Sequence, residues 1–186
     1  MSQPAQVILL NGVSSVGKTS VAVALQRLAD KPFLRVALDD YLERLPERMV
    51  GHPDGMTFKV VREAEPREVV ILSGAVVERA LSGMRRAFAA LAEAGNNLII
   101  DEVLFQGAEE AEYRALLAAH DFRMVGLHAP LDVIEARERQ RGDRNIGLAR
   151  GMYDIVHANR VYDLELDTSR ATPKEIARAI KSAFAL

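Results

Sequence analysis

The stretch from Val7 to Ala29 constrains this chain more than any other. It opens on the apolar run Val7-Ile8-Leu9-Leu10, passes through Asn11-Gly12-Val13-Ser14-Ser15-Val16-Gly17-Lys18-Thr19-Ser20, and continues with Val21, Leu25 and Leu28 at helical spacing. Gly12 to Thr19 satisfy the pattern G-x-x-x-x-G-K-S/T in the strand-then-helix context that a P-loop requires. Glycine at 12 and 17 removes two Cβ atoms and opens backbone angles closed to other residues, so the loop can wrap closely around a phosphate. The amides of Ser14 to Thr19 can then point inward beside the positive end of the next helix. Lys18 can reach the β- and γ-phosphate oxygens, and the Thr19 hydroxyl is placed to coordinate Mg²⁺. The expected nucleotide-binding segment is Gly12, Val13, Ser14, Ser15, Val16, Gly17, Lys18, Thr19 and Ser20. The competing reading is an ordinary glycine-rich turn.

Downstream, strands and helices alternate. Asp30-Lys31-Pro32 ends the first helix, and Phe33 to Leu38 predicts a strand delivering Asp39 and Asp40, followed by a short helix stopped at Pro46. Gly51, Pro53, Asp54 and Gly55 punctuate an irregular region from Glu47 to Glu65, with a short strand or hairpin at Met56 to Val61. Glu65-Pro66-Arg67-Glu68 reads as a helix start, and Val69, Leu72, Val76, Ala80, Leu81, Met84, Phe88 and Leu91 predict one long helix closing at Gly95. Then come a buried strand at Asn97 to Val103, a helix at Ala108 to His120, a strand at Phe122 to His128 and an arginine-rich helix at Pro130 to Gln140. A short helix at Leu148 to Ala158, a strand at Tyr162 to Leu166 and a helix at Pro173 to Phe184 capped by Thr172 complete the pattern. This predicts an α/β, three-layer P-loop NTPase fold of the nucleoside-kinase kind. Five parallel strands carry helices on both faces, and residues 1–186 form a single domain. Ligands of such sheets bind beyond the carboxyl ends of the strands, where Gly12, Asp39, Asp101 and Pro130 all fall.

With 186 residues, 49% of them hydrophobic, the chain can fill one core; its net charge of −2 gives no global basic excess for nucleic acid. The absence of cysteine excludes disulfides, thiolate metal sites and a cysteine nucleophile. Met1-Ser2-Gln3-Pro4-Ala5 lacks a positive leader segment and no stretch approaches a membrane span, so a cytoplasmic protein with no membrane partner is expected.

Three groups of residues at the strand ends carry chemical potential. Asp101 occupies the place of an acid that binds or orients Mg²⁺ beside Thr19, a role Glu102 could share; the alternative is a carboxylate capping the next turn. Asp39 stands where small-molecule kinases place a base against the acceptor hydroxyl, with Asp40 expected to point to the opposite side of the chain. Arg137, Arg141 and Arg144 lie at i, i+4 and i+7, one face of a helix if it persists, as suits a lid at about 137–150 that closes over the γ-phosphate with Gly142 as hinge. The alternative there is a solvated helix with Glu135 paired to Arg139. His52, His120, His128 and His157 show no metal-binding spacing.

Together these residues resemble the chloramphenicol phosphotransferase family, small P-loop kinases similar in fold to adenylate and shikimate kinases. The resemblance rests on Ile8 to Thr19, Asp39 with Pro46, Ile99-Ile100-Asp101-Glu102-Val103, Arg137 with Glu138, Arg141-Gly142-Asp143-Arg144, His157, and Tyr162 to Thr168, in the family's order. It implies transfer of the ATP γ-phosphoryl group to a hydroxyl of chloramphenicol, with Asp39 as base and Arg137, Arg141 and Arg144 as lid arginines. Glu47 to Glu65 departs from the family's pattern, and Asp40-Tyr41 replaces smaller neighbours after the catalytic position, so the resemblance implies the reaction more firmly than the acceptor.

The expectation is an ATP- and Mg²⁺-dependent kinase of a small hydroxylated molecule, chloramphenicol or a similar compound, with the acceptor region at about 40–65. Homo-oligomer formation is left open. The competing readings are a kinase of another metabolite (shikimate-, gluconate- or nucleoside-like), a non-catalytic nucleotide-binding regulatory module, and a kinase of nucleic-acid ends, which would call for a basic groove.

Overall fold

The computed structural model describes residues 4–142 and 145–186. In chain order the elements are β1 (Gln6–Asn11), α1 (Lys18–Leu28), β2 (Phe33–Ala37), α2 (Leu38–Leu42), a 3₁₀ turn (Glu47–Met49), β3 (Met56–Arg62), β4 (Glu68–Ser73), α3 (Ala75–Glu93), β5 (Asn97–Glu102), α4 (Gly107–Leu116), β6 (Asp121–His128), α5 (Leu131–Arg141), α6 (Leu148–Tyr153), β7 (Leu164–Asp167) and α7 (Pro173–Phe184). Five strands form a parallel sheet in the order β2-β5-β1-β6-β7, as the alternating pattern predicts.

β1 and β5 are apolar on both faces because both faces are covered, the usual reason for a continuous hydrophobic run in a parallel sheet. Ile8, Leu10 and Ile99 join a core with Val21, Leu25 and Ile176 on the α1 and α7 side. Val7, Leu9, Leu98 and Ile100 join Met84, Phe88 and Tyr113 on the α3 and α4 side. α7 is fixed at its start by Thr172, whose side chain accepts the Glu175 amide while Glu175 reaches back to the cap.

Two regions differ from the sequence reading. The long helix expected from Pro66 to Gly95 is two elements: Glu68–Ser73 is β4, antiparallel to β3 in a separate two-stranded sheet, and only Ala75–Glu93 is helical. Val69, Leu72 and Val76 fit helical spacing, but Val69-Val70-Ile71 is β-branched and pairs with Lys59 and its neighbours, so tertiary pairing decides an ambiguous apolar run. Gly74 makes the break. A Cβ there would lie 2.1 Å from the Pro53 carbonyl oxygen. The second difference is α2, which begins at Leu38, so Asp39 and Asp40 sit in a first helical turn and not on an extended strand end. Among the described residues no helix is long and apolar enough to cross a membrane.

Candidate active site

The register of the sheet assembles the site. Asp101 on β5 stands opposite Leu10 on β1 and Ala37 on β2. Two residues beyond Leu10 the P-loop begins at Gly12, and two beyond Ala37 comes Asp39, so three strand ends deliver their groups side by side.

The P-loop geometry follows from its glycines. A Cβ on Gly12 would lie 2.6 Å from the Leu127 carbonyl oxygen and 2.8 Å from Val16 Cγ1, so β6 admits only glycine there. Gly17, with φ of 107°, is the residue before α1 and holds a left-handed conformation. The first amides of α1 have no partner within the helix, and amides so placed at a helix start are suited to bind an anion. Lys18 is buried, its Nζ donating to the carbonyls of Gly12 at 2.9 Å and Val13 at 3.2 Å. Ser15 Oγ is buried and has no hydrogen-bond partner among the described residues. An anion held in the loop would relieve that cost.

Thr19 Oγ1 donates to Asp101 Oδ2 at 2.6 Å. One hydroxyl and one carboxylate beside a phosphate cradle fit Mg²⁺, which takes few protein ligands and leaves its other positions to phosphate oxygens and water. No group of three or more His, Asp or Glu gathers as a metal cage among the described residues. Glu102 does not share this place. Side chains alternate across a strand, and Glu102 lies on the α4 face, where it accepts the Tyr113 hydroxyl at 2.6 Å and the Val103 amide at 3.0 Å. Burial raises its pKa to about 7 against the opposing pull of those hydrogen bonds.

Asp39 and Asp40 both border the main cavity. Because they occupy one helical turn they are separated by about 100° around the axis, and the opposed arrangement expected of an extended chain does not arise.

Of the three expected arginines, Arg137 and Arg141 border the cavity and Arg144 lies outside the described residues. α5 ends at Arg141 with Gly142 left-handed at φ of 70°, so one continuous helical face stops there. Arg137 is tied down: its Nη1 donates to the Val16 carbonyl and to Thr168 Oγ1, both at 3.1 Å, and its Nη2 to the Thr168 carbonyl at 2.8 Å. Glu135 pairs with Arg150 at 2.6 Å and not with Arg139.

The cavity has a volume of about 1410 Å³. Its lining brings together the P-loop, Asp101 and the α5 arginines with Met56, Phe58 and Ile71 of the β3–β4 hairpin, and with Leu81 and Phe105. The sequence reading missed Ile71 and Ser73 as part of this wall because it placed them in a helix.

Thr168 and Asn11 were also missed as supports. Thr168 Oγ1 donates to the Val16 carbonyl at 2.7 Å, so Thr168 and Arg137 brace the loop together at one carbonyl. Asn11 Nδ2 donates to the Val156 carbonyl at 3.0 Å and to Tyr162 Oη at 2.7 Å, while its Oδ1 accepts the Leu104 amide at 2.9 Å. Tyr162 Oη lies 2.8 Å from His157 Nδ1. Burial, with the electrostatic effect of the neighbouring His128, Lys18 and Arg160, lowers the His157 pKa to about 4, so the ring is neutral near pH 7 and shares a hydrogen bond with the tyrosine hydroxyl. An asparagine next to the P-loop glycine was the available signal. His120 accepts the Ala5 amide and His52 the Asp54 amide. His128 Nε2 approaches Glu165 to 2.9 Å without hydrogen-bond geometry.

The sequence matches the chloramphenicol phosphotransferase-like proteins over residues 5–185. A provisionally named O-phosphotransferase of Mycobacterium tuberculosis, found in two strains, is 32% identical over 184 residues, spanning 96% of this chain and 82% of that protein. Among solved structures, a sugar kinase of Janibacter superposes with a TM-score of 0.71 at 18% identity, over 98% of this chain and 95% of its own. The Mycobacterium tuberculosis APS kinase in complex with AMPPNP and APS gives 0.67 at 16% identity over 99% of both chains. Those two likenesses establish the fold, and the match along nearly the whole chain establishes the lineage: the chain belongs to the chloramphenicol phosphotransferase-like family and is a P-loop small-molecule kinase.

Proposed function

We propose that the protein transfers the γ-phosphoryl group of ATP to a hydroxyl of chloramphenicol or a similar compound, an antibiotic-inactivating reaction. The observation that carries this reading is the single cavity that joins the P-loop and Asp39 to an apolar wall made by Met56, Phe58 and Ile71. Apolar pockets with a few convergent polar groups select a ligand with an apolar body and fix its orientation. That favours an aryl-bearing alcohol over a polyol such as gluconate or shikimate.

In the proposed reaction the loop amides and Lys18 hold the phosphates. Asp39 takes the proton of the acceptor hydroxyl as its oxygen bonds to the γ-phosphorus. The bond from that phosphorus to the β–γ bridging oxygen breaks, and ADP leaves with the electron pair. Arg141 and Arg144 steady the transferring group, while Arg137 holds the loop. Thr19 and Asp101 would hold Mg²⁺, which would supply neutralising charge to the phosphate oxygens. The acceptor region extends past residues 40–65 to Ile71 and Ser73 on β4.

The test is ADP release from Mg²⁺-ATP with and without chloramphenicol, with mass spectrometry of the product and Lys18→Ala as the blank. Stimulated release with a phosphorylated drug is the expected result. ADP release unaffected by chloramphenicol, or equal in Lys18→Ala, would overturn the acceptor or the site respectively. Arg141→Ala combined with Arg144→Ala should lower the transfer rate at least about tenfold, since arginines that meet developing phosphoryl charge contribute more than that elsewhere. Turnover equal to wild type would remove them from the mechanism.

A further inference from the structure

The short helix α6 is pressed against strand β4 with no side chain between them. Val69 on β4 donates its amide to the Gly147 carbonyl at 3.0 Å. A Cβ on Gly151 would lie 2.0 Å from the Val69 carbonyl oxygen, and one on Gly147 would lie 2.6 Å from that of Arg67. Both obstacles are backbone, which cannot swing aside as the end of a long side chain can.

On its other side α6 is fastened to α5. Glu138 is 1% exposed, and its two carboxylate oxygens accept the amides of Gly147 and Ala149 at 2.8 Å each. α5, α6 and β4 are therefore joined in series. α5 carries Arg137 and Arg141, and β4 carries Ile71, all on the lining of one cavity; the proposed function gives the first two to the phosphates and the third to the acceptor. The hairpin to which β4 belongs forms its own sheet, separate from the five-stranded one, so this joint fastens it to an element that bears those arginines.

We propose that Gly147, Gly151 and Glu138 are positioning residues through which the acceptor hairpin sets the placement of the α5 arginines. None of the three borders the cavity. The hairpin and the arginine helix respond as one body, so a ligand against either is felt at the other, and by linkage the coupling is reciprocal. A joint of this kind would align the arginines when an acceptor presses on Phe58 and Ile71, which favours phosphoryl transfer over idle hydrolysis. The inference rests on the kinase reading for which ligand meets which element, but the joint itself is a property of the protein alone.

The experiment is hydrogen exchange by mass spectrometry on the full chain, for wild type, Gly151→Ala and Glu138→Gln, with and without a non-hydrolysable ATP analogue and Mg²⁺. Glu138→Gln keeps the side chain's shape and one accepting oxygen, so it serves if Gly151→Ala fails to fold. The analogue should slow exchange at residues 12–20 in all three proteins. In wild type it should also slow exchange across residues 56–73, the hairpin that the proposed function assigns to the acceptor. In the variants that distant slowing should fall about fivefold or more, within the usual range of coupling between sites. A purely structural role would instead speed exchange in β1 and β5 and leave the response to the analogue intact.

Protection of residues 12–20 with no change at 56–73 in wild type, or equal protection at 56–73 in the variants, would overturn the proposal. If residues 12–20 are not protected, the nucleotide reading fails, and the unliganded proteins then decide the joint. Faster exchange in Gly151→Ala at both 56–73 and 131–141 supports it, and faster exchange at 56–73 alone overturns it.

Discussion

Asp39→Asn is expected to lower the rate of phosphoryl transfer by about 10²- to 10⁴-fold, the usual contribution of a positioned general base, while the affinity for nucleotide stays within a fewfold of wild type. Asparagine keeps the size and one accepting oxygen of the carboxylate but cannot take the hydroxyl proton. The neighbouring Asp40→Asn makes the measurement decisive, because both aspartates border the cavity from one turn of α2 and either has access to it. Asp39 is half-buried and Asp40 is exposed. A base gains from exclusion of water at the moment of transfer, which assigns the work to Asp39. The expected pattern is a collapse in kcat for Asp39→Asn beside a change of a fewfold for Asp40→Asn. The reverse pattern would move the role one residue along. Near-normal rates in both variants would remove a side-chain base from the mechanism altogether.

How much of this was legible in the sequence depended on whether a residue's task is local. The P-loop needs two glycines, a lysine and a threonine within eight positions, and the structure places them in the strand-to-helix turn their spacing predicts. Asp101 was readable because a run of Leu98-Ile99-Ile100 ending in a carboxylate marks the end of a buried strand, and alternation along that strand could also have told Asp101 from Glu102. β4 was not readable. Its apolar residues satisfy a helical period as well as a pairing with β3, and only the partner strand distinguishes them. Losing β4 hid part of the proposed acceptor wall and also the contact with α6, since Gly147 and Gly151 look like loop and helix interruptions until the opposing backbone of Arg67 and Val69 is present. Thr168 and Arg137 meet the P-loop carbonyl of Val16 from more than 100 residues away, a convergence that no short-range pattern encodes.

Glu102→Gln is expected to stabilise the protein at pH 8 and to leave it nearly unchanged at pH 4.5. Glu102 is 3% exposed, and burial raises its pKa from an ordinary 4.5 to about 7. The folded protein therefore binds the proton more tightly than the unfolded chain does. Its contribution to stability is fully present below pH 4.5 and is lost as pH rises through 7, amounting to about 3 kcal/mol across that window. Glutamine resembles the protonated carboxyl and can still accept a hydrogen bond from Val103 or Tyr113, so it keeps the low-pH stability without the later loss. His157 acts in the opposite sense. Its pKa falls from 6.5 to about 4 in the folded state, so its contribution is fully present above pH 6.5 and is lost as pH falls toward 4. Between pH 4.5 and 6.5 the two slopes oppose each other in wild type, whereas in the variant only that of His157 remains of the pair. Denaturant midpoints measured from pH 4 to 8 for both proteins would show this, because every other titrating group is common to the two curves. The difference should grow from near zero at pH 4.5 and level off above 7. A difference independent of pH would mean that Glu102 ionises alike in the folded and unfolded chains.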